Sequence, residues 1–231
     1  MRRALLLSPL FLLGCHGPAA KLTKAAPAAL PQGWTLVESA QDGVSIGAPP
    51  GWRQGVPKMF DVTGMLGDSG SDPNASPDAQ RFADELKQQD QQDENKRLEK
   101  LRSEGILCHC VNGARPTIGE EPTRFYVTVE KPGGSLTLKE ASDMEKEHLL
   151  EGGAGKDVTL ANGKAWRFES RTKTRGGDDL LKISYVLAHD DRKYTLHFVS
   201  TNDPVSIEGI ERPVAESLRI DPGATPVYKS K

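Results

Sequence analysis

Residues 164–200 read KAWRFESRTKTRGGDDLLKISYVLAHDDRKYTLHFVS, and this stretch decides the fold. Trp166 and Phe168 alternate with Arg167 and Glu169. Leu181, Ile183, Tyr185 and Leu187 alternate with Lys182 and Ser184, and Tyr194, Leu196 and Phe198 alternate with Thr195 and His197. A period of two over three successive runs predicts three strands that turn one apolar face to a core. Gly176-Gly177 and Asp190-Asp191 supply the turns between them. The opposite face carries hydroxyls and charges in no arrangement that spells a reaction, so the stretch reads as scaffold.

Upstream, Asp157 to Ala161 and Lys164 to Arg171 flank Asn162-Gly163, the strongest hairpin signal in the chain. Before that, Thr137 and Glu140 have the spacing of a capping box. They open a predicted helix that closes at Gly152, with Leu138, Ala141, Met144 and Leu149 on its apolar side. Phe125, Val127 and Val129 alternate in a strand over Arg124 to Lys131, and Ile106 to Asn112 reads as another. Ser76 and Pro77 begin a predicted helix that runs to about Ser103. Its anchors, Phe82, Leu86, Leu98 and Leu101, are sparse, and Gln88 to Lys96 holds nothing apolar, which predicts a helix that is mostly solvated or projects from the domain. Trp34 to Ser39 and Val44 to Ala48 are extended runs joined by a segment ending in Asp42-Gly43; prolines 49 and 50 then stop the second, and Trp52 reads as a lid on the core. At the far end Ile207, Ile210, Val214 and Leu218 fall at helical spacing, with Pro213 kinking that helix or marking its start.

Composition bounds the function. The 231 residues are 36% apolar and 27% charged, enough for one well-buried domain and a tail. Taking Arg2 and Arg3 from the 30 basic residues leaves 28 against 32 acidic ones, a net charge of −4, which argues against a nucleic-acid binder, since that would need a basic face.

Arg2 and Arg3 precede an apolar run from Ala4 to Leu13, too short to span a bilayer but of the length of an export signal. Leu12-Leu13-Gly14-Cys15 then resembles the lipobox of bacterial lipoproteins, with Leu13 where a smaller residue is commoner. The resemblance implies a signal peptide over 1–14, cleavage before Cys15, and acyl chains, palmitate among them, that anchor the mature protein to membrane lipid. A thiolate is the nucleophile that a thioether linkage needs, and several acyl chains hold a protein far better than one. Residues 15–32, rich in Ala, Pro and Lys, read as a tether after the lipidated cysteine.

Cys108-His109-Cys110 holds the other two cysteines. On a strand both thiols point to one face and His109 to the other, so the three do not readily close on one metal ion, and zinc favours wider spacing. The favoured reading is buried structural thiols. An unusual disulfide or redox-sensitive pair, and a metal or thiol-reactive site, are its alternatives. Asp68, Asp72 and Asn74 alternate like the start of a calcium loop, but the sixth place lacks glycine and the twelfth is Ala79, so they read as a polar loop. His148 near a helix end and His189 beside Asp190 and Asp191 read as half-exposed and turn residues. No nucleophile elbow, zinc-protease helix, phosphate loop or dinucleotide fingerprint occurs.

Hairpin-joined strands with helices between and after them predict an α+β domain, an antiparallel sheet with helices packed on it, over residues 33–222, followed by a tail over 223–231. Gly43-Val44-Ser45-Ile46 running into Pro50-Gly51-Trp52, the hairpin into Lys164-Ala165-Trp166, and Glu216-Ser217-Leu218-Arg219-Ile220 together resemble the PsbP-like group. That group includes the extrinsic protein of photosystem II, a Ran-binding import protein and bacterial envelope lipoproteins. The resemblance implies an α/β/α sandwich and carries over no functional residue. The expectation is an exported, membrane-anchored envelope lipoprotein, facing the periplasm or the cell surface, without a cofactor. Its domain is a non-catalytic interaction module for another envelope protein. The alternative is a metal-binding or thiol-redox protein, or an enzyme, using Cys108, His109 and Cys110. A third reading makes the polar helix over 78–103 a docking arm.

Overall fold

The computed structural model of the chain describes residues 30–56, 76–112, 123–146, 154–173, 177–201, 207–221 and 223. Cys15 with its signal and most of the tether, the loop with Asp68, Asp72 and Asn74, His148, the helix end at Gly152 and nearly all of the tail lie outside those residues. The strands are β1 (Thr35–Ser39), β2 (Val44–Ala48), β3 (Trp52–Gln54), β4 (Ile106–Asn112), β5 (Arg124–Glu130), β6 (Ala154–Leu160), β7 (Gly163–Lys173), β8 (Asp179–His189), β9 (Arg192–Thr201) and β10 (Arg219–Ile220). The helices are α1 (Pro77–Ser103), α2 (Leu138–Lys146) and α3 (Glu211–Ser217). Seven strands form one antiparallel sheet in the order β3-β4-β5-β9-β8-β7-β6, while β1, β2 and β10 form a small second sheet. The fold is α+β, an antiparallel sheet with helices packed on it, as the hairpins predict.

One face of the large sheet makes the main core. Val127, Phe125, Leu196, Phe198, Ile183 and Tyr185 meet Val37, Val44 and Ile46 of the small sheet and Val214, Ala215 and Leu218 of the α3 segment. Trp52 covers the edge of this core against Phe125, with ring centroids 5.1 Å apart. This outer layer holds a small sheet beside its helix. Pro213 sits in the first turn of α3, where a missing N–H leaves nothing unpaired. Arg167 ties α3 back to the sheet through Glu211 at 3.1 Å.

The register corrects the expected face of β7. Trp166 stands opposite Val186 and Phe168 opposite Ser184, so both turn away from Ile183 and Tyr185. With Ala141 and Val186, Phe168 forms a second cluster beneath α2. A period of two says which residues of a strand share a face, whereas the register decides which face that is. The turn before β7 also shifts by one residue. Leu160 pairs with Gly163, so Ala161 and Asn162 form the loop. The amide of Asn162 donates to the carbonyls of Ala215 (3.2 Å) and Leu218 (2.8 Å), joining the hairpin to the end of α3.

The capping box that opens α2 is made in both directions. The Thr137 N–H donates to Glu140 Oε2 at 2.8 Å, and the Glu140 N–H donates to Thr137 Oγ1 at 3.2 Å. Under α2, Lys193 is buried between Glu145 (3.3 Å) and Glu130 (3.1 Å). Helix α1 is 27 residues long, a span of about 40 Å, and its C-terminal part is clamped from Glu94 onward. Arg102 grips the fully buried Asp42 through Nε (2.7 Å) and Nη2 (3.3 Å). Glu94, buried despite its charge, accepts from Arg53 at 2.7 Å and from the Val56 N–H at 3.3 Å. Leu86, Leu98 and Leu101 are half-buried, but Phe82 is 59% exposed and is no anchor.

Candidate functional site

Opposite the main core, one row of side chains crosses the large sheet. Its register is set by Tyr126 opposite His197, His197 opposite Ser184 and Ser184 opposite Phe168. The row begins in β4 at a bulge. Leu107 pairs with Val127 but Cys110 pairs with Phe125, so Cys108 and His109 share the place opposite Tyr126. Cys108 takes a positive φ of 48° to make this extra residue fit. As a result Leu107, Cys108 and Cys110 all belong to the main core, while His109 turns to the other face and stacks on Tyr126 at 5.4 Å and 9°. The tilted ring of His197 follows at 5.0 Å from Tyr126.

The bulge separates the three candidate residues. The Cys108 thiol is turned toward the carbonyls of Val44 (3.6 Å) and Val37 (3.9 Å), and that of Cys110 toward the carbonyl of Cys108 (3.5 Å). Burial pushes Cys108 up to about 12 and pushes Cys110 up as well, so both stay protonated and poor nucleophiles at neutral pH. Both are free thiols, and no cluster of three or more metal-binding side chains occurs among the described residues. His189 lies at the β8–β9 turn with Nδ1 3.6 Å from Asp190.

Sequence reasoning passed over His197. One ring nitrogen meets Ser184 Oγ at 3.0 Å and the other meets Thr128 Oγ1 at 3.0 Å. A neutral imidazole gives one N–H and takes one O–H, so this hydroxyl–imidazole–hydroxyl chain is complete. Burial, with Lys182 and Lys193 nearby, lowers His197 to about 3. Ser184 is only 1% exposed, which keeps its hydroxyl from a substrate in solution.

His109 is different because it reaches a crevice. Between α1 and the β4–β5 edge lies a space of about 410 Å³ lined by Val56, Arg97, Lys100, Leu101, Glu104, Ile106, His109, Arg124 and Tyr126. Arg97, Lys100 and Leu101 fall at i, i+3 and i+4, one stripe of the helix, with Glu104 just past its end, and Glu94 and Arg102 hold that stripe over β4. His109 Nδ1 lies 2.6 Å from the carbonyl oxygen of Gly55. A carbonyl only accepts, so the ring proton sits on Nδ1, and Nε2 is the acceptor. Burial first, and Arg124 in addition, lower the pKa of His109, so the ring stays neutral at neutral pH. The crevice thus combines cations, one neutral acceptor and apolar walls. Only the spacing on α1 was visible in the sequence, and nothing there said which strands it would face.

No protein-family model and no curated protein matches the chain. Several solved structures do. One is a Bacteroides thetaiotaomicron protein of which the chain spans about half, 47%, with 79% of this chain covered, 9% identity and a TM-score of 0.44. A second is LpqN of Mycobacterium tuberculosis, described as involved in cell envelope biogenesis. It matches over 49% of this chain and 71% of that one, at 14% identity and a TM-score of 0.38. A third is cyanobacterial PsbP from Synechocystis, which matches over 89% of this chain and 100% of that one, at 11% identity and a TM-score of 0.36. At these scores the likenesses carry no assignment of function.

Proposed function

We propose that the chain is an exported lipoprotein, anchored to an envelope membrane through acylated Cys15, whose domain is a non-catalytic binding module. The anchor rests on the order of a basic start, an apolar run, Gly14-Cys15 and a polar tether. No described helix is long and apolar enough to cross a membrane; acyl chains on Cys15 would anchor the protein to the membrane surface. The observation that carries the binding reading is the crevice at the root of α1, about 410 Å³ and held open by a helix clamped at Glu94 and Arg102. Its volume lies in the range of small-ligand sites, and a few polar groups converge on apolar walls. The thiols of Cys108 and Cys110 are turned away from it into the core.

Replacing Cys15 by Ala should move the protein from the membrane fraction to the soluble one. Retention of Cys15→Ala in the membrane would remove the anchor from the account. A second reading is favoured by Phe82, 59% exposed on the acidic, projecting part of α1. There another envelope protein docks on the arm while the crevice holds a small ligand. Crosslinking from position 82 in the native membrane tests it, and the absence of any protein adduct would dismiss the arm.

A further inference from the structure

We propose that the crevice between α1 and β4–β5 binds a phosphate monoester, held by Arg97 and Lys100 with His109 Nε2 accepting a hydrogen bond from its hydroxyl. This rests on reading the crevice as the module's ligand site. Three observations converge on that chemistry. Arg97, Lys100 and Arg124 line the space against one acid, Glu104, so the wall is cationic on a chain whose overall charge is −2. Arg97 and Lys100 are exposed on the helix stripe, and neither has an ion pair with a described residue. An anion there is held without first breaking an existing pair.

The second observation is the acceptor. Gly55 fixes the His109 proton on Nδ1, and Nε2 takes a hydrogen bond from no described group. A bound carboxylate or phosphodiester brings no proton to that nitrogen at neutral pH. A phosphate monoester titrates near pH 6, so its hydroxyl form can donate to Nε2 while its other oxygens take the cations. The third is the apolar wall of Leu101, Ile106 and the Tyr126 ring, which accepts the carbon body of an ester. Such a group comes either from a lipid headgroup at the membrane that Cys15 would reach or from a soluble phosphorylated compound.

The test uses the full lipidated protein in phosphatidylcholine nanodiscs, with the imidazole nitrogen signals of His109 as the readout. Phenyl phosphate should bind saturably and shift the Nε2 signal, and its methyl diester should bind at least several-fold more weakly. Arg97→Gln and Lys100→Gln, at exposed positions that leave the fold intact, should each weaken phenyl phosphate about ten-fold. Nanodiscs containing phosphatidate separate the sources. The same shift without added ester assigns a lipid headgroup, no shift there assigns a soluble ester, and either supports the proposal. Equal affinity for monoester and diester, no saturable binding, or unchanged binding in both variants would overturn it. If phenyl phosphate fails while a Leu101→Trp block of the crevice still abolishes crosslinking from position 104 in the native membrane, the anion assignment falls and the crevice reading stands. If that crosslink is absent or unaffected by the block as well, both fall.

Discussion

His197 is the residue whose chemistry the fold has altered most. Its ordinary pKa of 6.5 falls to about 3 in the folded chain because burial beside Lys182 and Lys193 penalises the charged ring. The ring is therefore neutral when folded, and between pH 6.5 and about 3 the unfolded chain binds one more proton than the folded one. Its contribution is present above pH 6.5 and is lost as the pH falls, by up to about 1.4 kcal/mol per pH unit. Urea unfolding followed from pH 7 to pH 4 should show this slope, and His197→Gln should flatten it. An unchanged slope in that variant would place the acid sensitivity elsewhere, with His109 the next group to try. Cys108 and Cys110 make the complementary case. Their raised pKa values predict no alkylation by iodoacetamide at pH 8 in the folded protein and labelling of both on unfolding. Labelling of Cys110 in the native state would return the thiol-redox reading to contention. The sequence showed that these thiols share a face apart from His109. It did not show the bulge, because a non-glycine residue at positive φ leaves no mark in the residue pattern.

At the scale of elements, the part that is legible is the part whose period agrees with its environment. β8 and β9 bury Ile183, Tyr185, Leu196 and Phe198 as their alternation predicts, and the Thr137–Glu140 box opens α2 where its spacing says. β7 was legible as a strand but not in its orientation, because both of its faces are covered, one by the main core and one by α2. β3 is three residues long and too short to show a period. Helix α1 was read as mostly solvated or projecting, and most side chains of its N-terminal turns are exposed. Its clamp was hidden, since Glu94 and Arg102 look like surface charges until Arg53 and Asp42 arrive from remote segments. The division along α1 predicts unequal effects. Phe82→Ser should change stability by less than about 0.5 kcal/mol, whereas Leu101→Ala should cost roughly 1–2 kcal/mol at its half-buried site. Equal losses in thermal unfolding would mean that the whole helix is packed.

For the whole molecule, the fold explains why the crevice lies where it does. The main core is closed by the small sheet and α3, and α2 covers the far side of β7 and β8. The β4–β5 part of that second face is bridged by the clamped C-terminal part of α1, which leaves the space that Arg97, Lys100 and His109 line. Those residues lie close together in the sequence, on the end of α1 and on the strand that follows it, but nothing in the residue pattern says that α1 lies over the face of β4 that His109 takes, so the site was not legible before the sheet was built. With an acylated Cys15 as its anchor, such a domain would hold the crevice close to a membrane surface. The central claim is that this crevice is the contact surface of an anchored module. It is tested most directly by placing a photo-crosslinking residue at position 104, which lines the crevice, or at the remote exposed position 173, and irradiating the lipidated protein in its native membrane. One defined adduct is expected from position 104, absent from position 173 and lost when Leu101→Trp fills the crevice. The same adducts from both positions, or none from position 104, would contradict it.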